Sequence, residues 1–269
     1  MTIRQEQDVW IFNQPVNRFG TNLNLYVYII DGILIDTGPH CQEQQVSEFC
    51  EKVLPKKIVH THFHEDHTGN TAYLARQFSL PVYLQSKALE ICAQDGKIPF
   101  YRQLFWGKRA GFSARPLPEF IESENLHLKV ISAPGHTPDH VVFLDQHEGR
   151  LFTGDLFVHP KTRLTLSGEN IPQIIQSLRD VLQEDFQTVY CSHSGVITNG
   201  YHQIQQKLQN LEELSGKVLQ LSNKGYSPRE IRRRIFPKTP SITFFSGGEW
   251  SSLNVIHSIL NDSRQKIAL

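Results

Sequence analysis

Thr61-His62-Phe63-His64-Glu65-Asp66-His67, directly after the apolar pair Ile58-Val59, is the stretch on which the reading of this chain turns. It places three imidazoles and the Asp66 carboxylate within six residues, at the end of what reads as a short buried strand. In an extended segment residues two apart point to the same side, so His62 and His64 present nitrogens to one ion. Asp66 and His67 then fall past a turn, on the first turn of a helix entered through Gly69 and Asn70, and face a second ion beside the first. Imidazole and carboxylate suit Zn²⁺, Fe or Mn, and the lack of nearby cysteine argues against a structural thiolate site.

Working outward, Leu25 to Ile30 and Ile33 to Ile35 flank Asp31-Gly32, a pair suited to a tight hairpin turn, and lead into Asp36-Thr37-Gly38. Val46, Phe49, Cys50 and Val53 recur at helical spacing before Pro55. Strands and helices continue to interleave, with Val82 to Leu84, Leu126 to Ile131, Val141 to Leu144 and Leu151-Phe152 extended. The class is therefore α/β (α+β) with layered sheets. Three further polar residues follow apolar strands and would reach the same sheet edge: His136 in Ala133-Pro134-Gly135-His136-Thr137-Pro138, Asp155 in Thr153-Gly154-Asp155, and His193 in Cys191-Ser192-His193-Ser194-Gly195.

The HxHxDH run with its later His, Asp and His resembles the metallo-β-lactamase-fold metallo-hydrolase superfamily, over roughly residues 8 to 200. That resemblance implies a four-layered αββα sandwich with metals at one edge of two sheets. It implies that His62, His64 and His136 bind a first metal, Asp66, His67 and His193 a second, and that Asp155 bridges them. Asp36 takes the place of the family's first motif, a carboxylate that orients the metal loop. Asp66 is the side chain assigned acid/base work. The segments Ser177-Leu178-Arg179, Asn199-Gly200 and Gly247-Gly248-Glu249-Trp250-Ser251 are similar to a bacterial branch that bears a C-terminal helical region. Residues 1–199 are thus expected to form the catalytic domain and residues 200–269 the helical region.

In that C-terminal region Ile204, Leu208, Leu211, Leu214, Val218 and Leu221 form an amphipathic stripe ending near Gly225. Ser227-Pro228-Arg229-Glu230 carries a hydroxyl cap, a proline at the first helical position and an acid three residues on, the signature of a second helix. Between the two motif-bearing halves, Gly96 to Pro118 mixes aromatics and cations. Within it, Ile98 to Arg109 reads equally as a lid over a substrate or as an amphipathic helix packing Phe100, Leu104 and Phe105 on the core. His40, His60, His140 and His159 stand near the motifs but outside the ligand pattern, and are assigned packing or hydrogen bonding.

The 269 residues, 39% hydrophobic and 20% charged, suit one large domain with an appendage and a substantial core. Lys plus Arg and Asp plus Glu both number 27, so no global field recruits nucleic acid or an anionic membrane. Four cysteines without a CxxC pair suggest free thiols in a reducing compartment, and the polar start of the chain suggests a cytoplasmic protein. The expected function is hydrolysis of a small ester, thioester or phosphodiester by a hydroxide bridging two divalent ions, zinc first, iron or manganese next. A homodimer is left open. One competing reading is an endoribonuclease of the same fold, using the Arg229, Arg232, Arg233 and Arg234 face; the other is a non-catalytic metal-binding protein. Lactonases of the family carry a tyrosine three residues after the bridging aspartate, where this chain has Val158.

Overall fold

The computed structural model describes residues 1–18 and 21–267; positions 19, 20, 268 and 269 of the expected domains lie outside the described residues. The chain divides into two compact units, Met1–Ser132 with Asp139–Val158 and Asp185–Gly200, and Ala133–Pro138 with His159–Glu184 and Tyr201–Leu269.

The first unit is built on two sheets. One has seven strands, ordered Thr2–Glu6, Val9–Asn13, Tyr26–Ile30, Ile33–Ile35, Lys57–Val59, Val82–Leu84 and Arg115–Pro116. The first four run antiparallel and the last three continue parallel to Ile33–Ile35. The Asp31-Gly32 hairpin forms as expected, with both residues in the left-handed region, at φ 44 and 76°. That is the backbone a two-residue hairpin turn requires. The second sheet has six strands, ordered Phe120–Glu122, His127–Ser132, Val141–Asp145, Arg150–Gly154, Thr188–Cys191 and Gly195–Ile197.

Alternation of side chains explains the layers. Val9, Ile11, Tyr28, Ile30, Ile33 and Ile35 from one sheet and Leu128, Val141, Phe143, Phe152 and Tyr190 from the other make a single buried cluster. The opposite faces of the first sheet's strands, with Phe12, Val27, Ile29, Leu34 and Ile58, bury the helix Glu43–Val53 through Val46, Phe49 and Cys50. Burying residues on both faces, these strands read as near-continuous apolar runs. The helix stops at Leu54, held left-handed at φ 56° just before Pro55.

The second unit is mostly helical: Ile171–Val181, Gly200–Asn223, Pro228–Ile235, Ser241–Phe245 and Ser252–Ile267. In the longest helix Ile204, Leu211 and Val218 are buried one heptad apart. The Ser227 cap is present, its backbone N–H and hydroxyl both donating to Glu230 Oε2 at 2.8 and 2.6 Å. Ser252–Ile267 packs on Ile171–Val181 and on Pro228–Ile235. No helix among the described residues is long and apolar enough to cross a membrane.

Candidate metal centre

The parallel strands carry the chemistry, because their carboxyl ends point the same way. Ile33–Ile35 delivers Asp36, Lys57–Val59 delivers the histidine run, Arg150–Gly154 delivers Asp155 and Thr188–Cys191 delivers His193. Beyond Val59 the chain stays irregular until a four-residue helix, Glu65–Thr68, then restarts as Thr71–Gln77. Asp66 and His67 therefore do sit on a first turn, though of a short helix that ends before Gly69.

Six of the seven expected ligands come together within the first unit. His62 Nε2 lies 3.1 Å from His64 Nδ1, and the His62 and His67 rings are 4.1 Å apart. Asp155 Oδ1 is 3.2 Å from His193 Nε2 and 3.4 Å from His67 Nε2. Asp66 Oδ2 is 3.6 Å from His193 Nε2 and 3.9 Å from His67 Nε2. His62, His67 and Asp155 offer ligand atoms all within 4.8 Å of one another, as do Asp66, His67 and His193. The seventh, His136, belongs to the second unit, where its Nδ1 lies 3.5 Å from Glu169 Oε2.

What turns the His67 and His193 rings is visible. Asp36 is buried and left-handed at φ 59°, a backbone conformation aspartate tolerates better than most residues. Its Oδ1 accepts the Thr61 N–H at 2.9 Å and its Oδ2 the Thr61 hydroxyl at 2.8 Å and His67 Nδ1–H at 2.7 Å. With Nδ1 donating there, His67 Nε2 faces Asp155 and Asp66. His193 is fixed similarly, Nδ1 donating to the Asn24 carbonyl at 2.9 Å. Cys191 is buried and accepts the N–H groups of His193 and Ser194, each at 3.4 Å. It shapes the turn that presents His193, as well as filling core space.

Burial would raise the Asp36 carboxyl, but the neighbouring His67 and hydrogen bonds from His60 and His67 outweigh it and hold the group well below the usual carboxylate range. Asp155 behaves alike, its desolvation overcome by His193 and His67. Conversely, burial disfavours the His193 cation, yet Asp155 and Asp66 lift His193 to about 9, and Asp155, Asp36 and Asp66 raise His67. A pocket in which buried imidazoles hold protons this strongly is a pocket of concentrated negative potential, suited to a multivalent cation. His67 Nε2 is itself buried without a well-formed hydrogen bond among the described residues. Donor set and orphaned nitrogen fit a metal with N and O ligands.

Several supporting residues escape sequence reasoning or are only partly anticipated by it. His60 bridges Asp36 Oδ1 at 3.3 Å and the Thr71 hydroxyl at 2.9 Å, and His140 Nε2 accepts the Asp155 N–H at 3.1 Å, both in the hydrogen-bonding roles expected of them. Gly154 is required here: at φ 48°, an added Cβ would lie 2.7 Å from Thr61 Cβ and 3.0 Å from His140 Nε2. Glu65, flanked by His64 and Asp66, forms a bidentate pair with Arg102 at 2.5 and 2.7 Å. Arg102 lies on the helix Phe100–Trp106 of the aromatic segment. That helix buries Phe105 and Trp106 while Phe100 is 74% and Leu104 37% exposed, so of the three residues of the expected packing face only Phe105 packs inward.

A sequence model of the Metallo-beta-lactamase superfamily matches residues 21–193. The chain belongs to this superfamily. Among curated relatives, "Beta-lactamase-like protein 2 homolog" of Drosophila melanogaster is 25% identical over 238 residues, 82% of this chain and 76% of that one. "Hydroxyacylglutathione hydrolase" of Nitrosomonas europaea is 32% identical over 151 residues, which is 55% of this chain and 50% of that enzyme. "Atrochrysone carboxyl ACP thioesterase" of Aspergillus fumigatus is 27% identical, over 74% of this chain and 59% of the relative. Among solved structures, a metallo-beta-lactamase family protein from Thermus thermophilus has a TM-score of 0.71 at 17% identity, covering 96% of this chain and 94% of its own. It shows the same fold across the expected α/β architecture and its C-terminal helices. As a member of this superfamily the chain is a metal-dependent hydrolase.

Proposed function

We propose that this protein hydrolyses a small acyl thioester with two divalent ions, zinc first among the candidates. His62, His64 and His136 would hold one ion, Asp66, His67 and His193 the other, and Asp155 both. The observation carrying this reading is the convergence of His62, His64, Asp66, His67, Asp155 and His193 at one sheet edge, two of their three-residue groups within 4.8 Å spans. When bound, the ions would lower the pKa of a water toward neutrality and draw charge from the scissile carbonyl. Thioester is favoured over phosphodiester because two relatives bear names that denote acyl–thiol substrates.

The chain's own residues have separable roles. Asp36 holds the Nδ1 proton of His67 and Asn24 O that of His193, so a bound ion would displace the proton at Nε2 and find both rings turned to it. Asp66, on the short helix, would take up a proton from the attacking water and return it to the departing thiolate. No serine or cysteine nucleophile is needed. On the arginine helix, Arg234 stacks on Tyr226 at 4.1 Å and Arg232 bonds to Thr239. A cytoplasmic small-molecule enzyme, as monomer or homodimer, is the setting we propose.

The reading is tested by elemental analysis of purified full-length protein together with rate measurements on acyl-glutathione, acyl-pantetheine, aryl ester and phosphodiester substrates. The expected result is close to two metals per chain and turnover of thioesters above the rest. Fewer than one metal per chain, or phosphodiester turnover dominating, would refute it.

A further inference from the structure

Within the second unit, His136 sits in a loop whose backbone is pinned on both sides. Gly135 O accepts the Asn170 N–H at 2.7 Å, and Pro134 O accepts the Ser177 hydroxyl at 2.7 Å. Gly135 itself, at φ 134°, lies so near the helix Ile171–Val181 that a Cβ would meet Ile174 N at 2.6 Å. Fixing the backbone does not by itself fix the imidazole, and which nitrogen the ring presents depends on what its other nitrogen meets.

Glu169 meets it. Oε2 lies 3.5 Å from His136 Nδ1, with side chains only 10 and 8% exposed. The other oxygen, Oε1, accepts the Leu166 N–H at 2.9 Å, and the Glu169 N–H returns to Leu166 O at 3.2 Å, so the carboxylate is locked to its own loop. Leu166 belongs to the two-residue strand Thr165–Leu166, paired antiparallel with Trp250–Ser251 near the C-terminus. Asn254, opening the last helix, ties this ladder together: its Nδ2 donates to Thr165 O at 3.2 Å, Gly248 O at 3.3 Å and Glu249 O at 2.8 Å.

We propose that Glu169 is a positioning residue for His136, drawing its Nδ1–H and so turning Nε2 out as the lone-pair donor, and that the C-terminal region holds Glu169 in place through Asn254. The inference rests on the reading that His136 is a metal ligand. It gives the tail a defined role, in which residues that bind no metal set the orientation of one that does. A carboxylate behind a ligating imidazole fixes its tautomer and raises its basicity, and loss of such a partner costs on the order of 10–100-fold in metal affinity.

The experiment compares wild-type full-length protein with Glu169→Ala, Glu169→Gln and Asn254→Ala. Zn²⁺ affinities are measured by chelator competition, and the His136 tautomer by ¹⁵N imidazole shifts at pH 8. We expect Glu169→Ala to weaken one of the two zinc sites about 10–100-fold while the other stays within about twofold. Glu169→Gln keeps one acceptor oxygen for two donors and falls between, and Asn254→Ala shifts the same site in the same direction. The metal-free His136 tautomer should be Nδ1–H in wild type and mixed in Glu169→Ala. Two zinc sites unchanged in Glu169→Ala, or both weakened equally in folded Glu169→Gln, would overturn the proposal. A wild-type chain that takes up no zinc sinks the hydrolase reading instead, and the tautomer shift, which needs no ion, then decides Glu169 separately.

Discussion

Replacing Arg102 by methionine keeps most of the side chain's apolar stem and removes its charge, leaving Glu65 buried without its cation. The pair is bidentate, at 2.5 and 2.7 Å, and its side chains are 13 and 5% exposed. Breaking a buried pair by deleting one partner typically costs about 3–5 kcal/mol, and the slight exposure of Arg102 places this one near the lower end, about 3 kcal/mol. At ~2–4 °C per kcal/mol for a chain of this size, the unfolding midpoint should drop by about 6–12 °C. Glu65→Gln with Arg102→Met should recover the larger part of that loss, because neither buried charge is then stranded. The pH dependence has a fixed sign. Burial raises Glu65 above its ordinary value and Arg102 opposes the rise, so Arg102→Met lifts the folded-state pKa further. A raised carboxyl contributes stability below its unfolded pKa and loses it as pH climbs through the folded value. The variant's deficit should therefore be smaller at pH 5 than at pH 7.5, in thermal melts of metal-loaded protein at equal ionic strength. A deficit below about 0.5 kcal/mol, the scale of an exposed pair, or a deficit that grows toward acid would show that Arg102 does not neutralise Glu65 in the fold.

Asp155→Ala should lower thioester turnover by about two to three orders of magnitude, the scale of removing a transition-state charge stabiliser, whereas Arg233→Ala on the exposed helix should change it less than about twofold. Steady-state rates on matched metal-loaded samples decide this, and comparable losses in both would misplace the chemistry. Asp36→Asn cannot accept from Thr61 and His67 on both side-chain atoms, so metal affinity should fall about 10–100-fold by chelator competition. Because the wild-type Asp36 carboxyl is held low, its contribution to stability is present above about pH 4 and lost below, so Asp36→Asn should flatten the acid limb of the stability profile. Gly154→Ala forces a Cβ to 2.7 Å from Thr61 Cβ at φ 48° and should destabilise by about 1–3 kcal/mol, read by urea denaturation; a neutral result would mean the turn relaxes freely. Stripping metal with a chelator should abolish turnover and lower the unfolding midpoint, with Zn²⁺ restoring both, since an ion bound only by the folded chain stabilises it by mass action.

Much of the site was legible because its parts are local and patterned. His62 to His67 announce themselves by density, and Asp36, Asp155 and His193 by standing where apolar strands end, which is where parallel strands deliver side chains to a common edge. The Ser227 cap and the Asp31-Gly32 turn were readable for the same reason, each being decided by three or four adjacent residues. Legibility failed where partners are distant and individually ordinary. Glu65 looks like any acid on a helix until Arg102, from another segment, meets it. Phe100–Trp106 has aromatics on every side of a seven-residue helix, so no periodicity tells which face is buried. The strands Thr165–Leu166 and Trp250–Ser251 are too short to show alternation, and Glu169 beside the first of them carries no motif.

The common thread is that this chain uses its buried polar groups for orientation. His67 is turned by a carboxylate, His193 by a backbone carbonyl, and the Asp155 backbone is held by an imidazole that must itself be unprotonated at Nε2 to accept. Each contact is worth only a modest net amount to folding, because water would satisfy the same groups in the unfolded chain. Their value lies in the rotamers and tautomers they forbid. A ligand set assembled from freely rotating imidazoles would have to surrender side-chain entropy each time an ion bound, whereas in the set proposed for this chain that cost would be met during folding. Single changes among the orienting residues should therefore damage metal affinity well before they damage the fold. Changes to the proposed donors themselves should remove the coordination outright.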